Sequence, residues 1–269
     1  MTEPSAPATA DLVLYRHEGD VAVLTLNRPE RRNAWTIPLQ RTYLGLLEQC
    51  NNDPGVRAIV VTGSGSTFCP GADTQELTVY TQTGDFNPEM AKIEQPDYYP
   101  LLVDKPMIAA INGACAGIGL VQALMCDVRI AAAGARMTTA FARRGLPALH
   151  GSAWLLPRLI GASRATELLL SGRTFTTDEA AALGLIHQIV AADEVLPRAL
   201  AYAADLAVNC SPASIKTMKA QLRAAPGEDV LTSIARGLEL ERAALASDDF
   251  AEGVRSFVER RPPRFPAPK

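Results

Sequence analysis

The stretch Arg57-Ala58-Ile59-Val60-Val61-Thr62-Gly63-Ser64-Gly65-Ser66-Thr67-Phe68-Cys69-Pro70-Gly71-Ala72-Asp73 changes character part-way along. Its first part, Arg57–Thr62, is a short apolar run without polar alternation, which predicts a buried strand. Glycine then crowds the chain, and glycine serves where backbone turns sharply or approaches another group closely. Upstream, Asp11–His17 and Val21–Leu26 are β-rich runs parted by Glu18-Gly19-Asp20, which reads as a hairpin. Leu39, Tyr43, Leu46, Leu47 and Cys50 mark one face of a helix, and Asp53-Pro54-Gly55 stops it. Downstream the logic repeats. Met107–Ile111 reads as a strand, Ile118–Cys126 as an apolar helix behind a second Gly-rich turn, and Val128–Ala132 as another strand. The expected class is α/β.

Thr78–Asp104 lacks sustained periodicity and holds Pro88, Pro96 and Pro100. It reads as a mobile or partly helical loop, and loops of that length are often functional. The last third reads as helical, with a short strand at Ile186–Val190. Thr176 and Glu179 form a capping-box pattern, and Ser211-Pro212 supplies a cap and a first-turn proline. Leu231, Ile234, Leu238 and Leu245 mark one face of a helix starting near Gly227, and Arg255–Lys269 is a basic, Pro-rich tail. The expected organisation is a disordered tail over 1–10, a core over 11–200 and a helical region over 201–269.

Of the 269 residues, 48 % are hydrophobic and 20 % charged, enough apolar material for a core that needs no disulfide or metal. The 26 basic and 29 acidic residues leave a net charge of −3. That argues against nucleic acid as the main partner, while a local basic cluster still suits a small anion. Five cysteines without a CxxC pair and three scattered histidines give no metal-ligand spacing. They point to buried, reduced thiols and a cytoplasmic location. Met1–Ala10 lacks the basic and apolar segments of a signal peptide, and no apolar run is long enough to span a membrane.

Four groups of residues, taken together, resemble the crotonase family of enoyl-CoA hydratases and isomerases. The first is Asn27-Arg28-Pro29-Glu30-Arg31-Arg32-Asn33-Ala34, and the second is Thr62-Gly63-Ser64-Gly65 through Phe68 to Gly71-Ala72-Asp73. The third is Lys105-Pro106 through Asn112-Gly113, with Ala116-Gly117-Ile118-Gly119 and Cys126-Asp127. The fourth is Leu156-Pro157-Arg158-Leu159-Ile160-Gly161 with Leu170-Ser171-Gly172-Arg173. Their order and spacing match the family from about residue 12 to residue 265. The resemblance implies a spiral of ββα units with a C-terminal helical trimerisation region, and a homotrimer or hexamer. It implies an acyl-CoA or enoyl-CoA ligand, with coenzyme A as part of the substrate and no permanently bound cofactor.

The family's common step puts negative charge on the thioester oxygen, and backbone N–H groups aimed there stabilise it. The resemblance assigns these to Ala72 and Ile118. A Gly-rich turn followed by a helix N-terminus suits that role on physical grounds alone, although such glycines can also serve only as tight turns. The dinucleotide pattern GxGxxG and the nucleophile elbow GxSxG are absent. Arg31, Arg32, Ala34, Ala72, Asp73 and Phe257 are the candidates for coenzyme A, with Arg28 and Arg260 nearby; a solvated arginine cluster is the alternative reading.

The departure lies in the acids. The two glutamates of typical hydratases align with Val121 and Phe141, and a carboxylate used by some relatives aligns with Leu149. None of these side chains carries a proton. His150 is the candidate acid or base, since histidine titrates near neutrality. Asp73, Glu76, Glu94, Asp97, Tyr98 and Cys115 are weaker candidates, and Arg143-Arg144 suit a subunit contact or an acidic acyl group. Two readings follow: an acyl-CoA enzyme, or an acyl-CoA-binding homologue without catalysis. A purely structural module would leave the paired glycine turns without a purpose.

Overall fold

Residues 12–83 and 93–266 are described by a computed structural model; the expected tail at 1–10 lies outside them. Strands β1 (Val13–Glu18) and β2 (Val21–Leu26) pair antiparallel, as the turn signal between them predicts. Helix α1 (Ile37–Asn52) begins where the Thr36 hydroxyl accepts from Leu39 N–H. It buries Leu39, Tyr43, Leu47 and Cys50, and the chain leaves it at Asp53. Buried Lys105 closes that end, donating from Nζ to the carbonyl oxygens of Cys50 (2.6 Å) and Asp53.

The apolar run of the opening stretch is β3 (Ala58–Gly63), buried along its whole length. Its residues divide by parity. Ile59 and Val61 join the main core under α1, while Ala58 and Val60 join a second core on the opposite face. Strand β5 (Met107–Ile111) divides the same way, with Ile108 and Ala110 in the second core. Burial on both faces is why these strands read as unbroken apolar runs.

Three short strands escaped the sequence reading: β4 (Thr67–Cys69), β6 (Ala114–Ala116) and β8 (Arg136–Thr138). A fourth, β9 (Phe175–Thr176), has two residues. With β7 (Val128–Ala132) and β10 (Gln188–Val190), the order in the larger sheet is β1-β2-β3-β5-β7-β10. The smaller sheet runs β4-β6-β8-β9. From β3 to β8 successive strands therefore alternate between the sheets, and each pair advances both by one place. The result is a spiral of ββα units in an α/β fold. Helix α2 (Thr74–Thr83) follows β4, and α3 (Ile118–Met125) follows β6. In the described parts of the stretch Thr78–Asp104, α2 runs to Thr83 and a single turn spans Tyr99–Leu102, while residues 84–92 of the expected loop lie outside the described residues.

Helices α4 (Ser152–Ile160) and α5 (Ala162–Ser171) pack on each other, and α6 (Thr177–Leu183) follows β9. The Thr176 hydroxyl accepts from Glu179 N–H, but the Glu179 carboxylate binds Arg173, so only half of the predicted box forms. Helix α7 (Val195–Asn209) crosses the expected boundary at residue 200 and lays Val195, Ala199, Ala203 and Ala207 on the larger sheet. Then come α8 (Pro212–Ala224), capped by Ser211, and α9 (Val230–Leu245). Helix α9 starts beyond Gly227 because the Asp229 carboxylate accepts from Leu231 and Thr232 N–H. Helix α10 (Asp248–Glu259) takes in the first part of the expected tail, since the Ser247 hydroxyl caps it and it runs to Glu259.

Candidate active site

Three chain segments converge where the sequence motifs lie. After β2, residues Pro29–Arg31 make one tight turn, and Arg32 and Asn33 adopt left-handed backbone. Asn33 is fully buried. Its carbonyl accepts from Arg28 N–H (2.9 Å) and the Ser64 hydroxyl (3.0 Å). Its amide donates to Ser64 O (2.9 Å) and Thr67 O (2.7 Å). Asn112 does similar work one repeat later, donating to Gly63 O (2.8 Å) and Gly65 O (2.9 Å). Both asparagines therefore tie their segments to backbone carbonyls around the 63–67 turn.

The Arg28 guanidinium bridges Ala34 O (2.6 Å) and the Asp73 carboxylate (3.0 Å). Asp73 also accepts from Gln75 N–H (2.9 Å) at the start of α2. Burial pushes the Asp73 carboxyl up, but the Gln75 and Arg28 contacts outweigh it and hold the group below its usual range. The side chain thus anchors the turn. Arg31 donates to the Gln75 side chain (2.9 Å) and stays exposed, as does Arg32. Phe257 stands on α10, 85 % exposed.

Ala72 forms a parallel bridge with Trp35. Trp35 N–H donates to Gly71 O and Asp73 N–H donates to Trp35 O, both at 2.8 Å. These bonds belong to the neighbours of Ala72, so in extended backbone the Ala72 N–H points to the other side. There the second glycine turn begins. A Cβ on Gly71 would lie 3.3 Å from Ala116 O, and one on Gly117 would lie 3.7 Å from the Gly71 Cα. The backbone angles of Gly117 are φ 51° and ψ −126°, a region open to glycine alone. Ile118 is the first residue of α3, so its N–H has no partner within the helix. The structure brings the turns of Ala72 and Ile118 into contact.

Val121, on the next turn of α3, is 1 % exposed, and Phe141 is 7 % exposed. Leu149 packs against the main core. All three side chains are therefore part of the apolar packing. Beside them, His150 Nδ1 lies 2.8 Å from Asp97 Oδ2. The His150 bond holds the Asp97 carboxyl below its usual range. The His150 ring is 6.5 Å from that of Phe141, and the Gln122 amide donates to Asp97 O (3.1 Å). Asp97, Tyr98, Met125, His150 and Trp154 line a cavity of about 400 Å³.

Other candidates fall elsewhere. Glu76 accepts weakly from Ile37 N–H at the start of α1 (3.4 Å), and burial pushes its carboxyl up. Cys115 is buried, which pushes its thiol up as well. Arg143 donates to Ser171 O (2.9 Å), tying its turn to the end of α5. All five cysteines are free, and four are buried. Among the described residues no three His, Cys, Asp or Glu side chains converge as a metal site.

The family model for enoyl-CoA hydratase/isomerase matches residues 16–268. The chain belongs to the enoyl-CoA hydratase/isomerase family. It is 37 % identical over 252 residues to the enoyl-CoA hydratase AFT3-1 of Alternaria alternata, covering 91 % of this chain and 82 % of that protein. It is 33 % identical over 260 residues to the 1,2-epoxyphenylacetyl-CoA isomerase of Escherichia coli, covering 95 % and 98 %. A solved structure of a probable enoyl-CoA hydratase/isomerase from Mycobacterium abscessus superposes with a TM-score of 0.86 at 36 % identity, covering 94 % of this chain and 98 % of that one.

Within this enoyl-CoA hydratase/isomerase chain, the sequence marked Asp97 and His150 separately and did not pair them. It also passed over Gln122 and gave Asn33 and Asn112 no role. The readable signal was an asparagine in two of the motif segments, at Asn33 and at Asn112-Gly113. An amide offers both donor and acceptor to loop backbone, which is what such turns need.

Proposed function

We propose that the protein acts on acyl-CoA or enoyl-CoA thioesters, holding the thioester oxygen between the N–H groups of Ala72 and Ile118. The contact of the Gly71 and Gly117 turns carries this reading. It brings an outward-facing N–H beside the N-terminus of α3, whose dipole favours negative charge. An enolate oxygen formed there is stabilised more than the ground-state carbonyl, which is the condition for rate acceleration. Coenzyme A enters as part of the substrate, with Arg31, Arg32, Ala34, Asp73 and Phe257 as its proposed contacts. The same reading takes the protein as a cytoplasmic homotrimer or hexamer.

Gly117→Ala tests the proposal. The side chain forces the left-handed turn to relax and re-aims the Ile118 N–H. Turnover of a panel of enoyl-CoAs, followed by loss of the conjugated-thioester absorbance and by product mass, should fall about 10²–10³-fold. Unchanged turnover would sink the reading.

The apolar burial of Val121, Phe141 and Leu149 favours a second reading, an acyl-CoA-binding homologue without catalysis. In that case thioesters bind, none is converted, and Val121→Glu with Phe141→Glu creates activity.

A further inference from the structure

We infer that His150 and Asp97 form the proton-transfer pair of this site, in place of the acids absent at positions 121 and 141. The inference rests on the thioester reading above. Asp97 Oδ2 can only accept when ionised, so His150 donates from Nδ1 and its Nε2 carries the free lone pair. Among the described residues nothing else bonds the ring, which lines the cavity of about 400 Å³ beside Asp97 and Met125. A carboxylate on one ring nitrogen fixes the tautomer and steadies the imidazolium, which makes the other nitrogen a base.

The pair packs against α3, the helix that begins at Ile118. Ile118 and Gln122 lie one helical turn apart on α3, about 6 Å along its axis. The Gln122 amide holds the Asp97 backbone at that level. Phe141 packs beside the His150 ring, and Leu149 precedes it. His150 thus stands beside Phe141, one of the positions that the resemblance aligns with a family acid. Its backbone is left-handed, at φ 54°. Strained backbone at a polar residue is a mark of functional sites.

The step this pair performs is proton exchange at C2 of the acyl chain. His150 Nε2 takes the C2 proton, and the C–H electron pair becomes a C1–C2 π bond. The carbonyl π pair moves to the thioester oxygen. The imidazolium then returns a proton to C2, and the carbonyl reforms. His150 is the catalytic residue and Asp97 the positioning residue.

Saturated acyl-CoAs of graded chain length are incubated with the protein in deuterated water, and deuterium at C2 is read by mass spectrometry. Affinity for each thioester is measured by calorimetry. His150→Asn is the main variant, because asparagine tolerates left-handed backbone but cannot take the proton. Exchange should fall by about 10²-fold or more with affinity kept. His150→Gly, which accepts the same backbone without strain, should regain exchange on addition of imidazole. Asp97→Asn should slow exchange while affinity stays unchanged. Exchange at the wild-type rate in His150→Asn overturns the pair and leaves the thioester reading standing. No exchange by wild-type protein with any thioester it binds also overturns the pair, and failure to bind any thioester overturns the thioester reading with it.

Discussion

Asp97 meets the His150 imidazole on one carboxylate oxygen, and this contact lowers the carboxyl from its usual 3.8. The sign of the pH dependence follows. A carboxyl whose folded value is depressed stabilises the fold above its unfolded value, and that contribution is lost as the pH falls through the folded value. Denaturant unfolding of wild type and Asp97→Asn should therefore differ at neutral pH, and the gap should begin to close only as the pH falls below about 4. A constant gap across that range would mean that the pair adds nothing through charge. The sequence could nominate both residues but not join them, because they lie 53 positions apart. Asn33 was invisible for the same reason, since its amide bonds reach loop carbonyls 31 and 34 residues away. By contrast, Gly71 and Gly117 were legible, because glycine reports a backbone demand that is local.

Strands β3, β5 and β7 could be read directly because a strand covered on both faces shows a run of apolar side chains. Strands β4, β6 and β8 could not. Three residues such as Ala114-Cys115-Ala116 are too few to display any period, and their pairing is decided by partners far along the chain. Helix α7 carries a different message. Ala199, Ala203 and Ala207 recur at intervals of four and lie buried on the larger sheet. Small side chains there let the helix axis approach the strands closely. Ala203→Leu should overpack that seam and lower stability by about 1–3 kcal/mol, read as a lower midpoint in urea. A neutral result would mean that α7 shifts freely on the sheet.

At the scale of the molecule, polar contacts from α8 and the C-terminal segment tie the last helices to the spiral. Lys219 on α8 donates to Lys105 O (2.8 Å) and pairs with Asp127 at 2.5 Å, while Arg57 donates to Phe265 O (2.8 Å). Helix α9 turns an apolar face outward in the single chain, with Leu231 73 % and Leu238 51 % exposed. Exposed apolar faces of this kind mark contact surfaces, which agrees with the trimer or hexamer proposed above. Sedimentation should give three or six chains, and Leu238→Asp should shift the mass toward one. A wild-type protein that sediments as one chain would refute the proposal. The sequence revealed this helix by its periodicity, but not that its apolar side lacks cover, because burial belongs to the assembled fold.

The amide of Asn112, clasped by the carbonyls of Gly63 and Gly65, also sets how the protein ages. Asparagine followed by glycine loses its side-chain amide readily when the chain is loose, and asparagine is among the thermolabile residues. In the folded protein the clasp holds the amide in place. Each unfolding releases it, and an aspartate formed there refolds against two carbonyl oxygens with no proton to offer either. Heat damage at this position is therefore cumulative: the chain keeps a chemical record of the time it has spent unfolded.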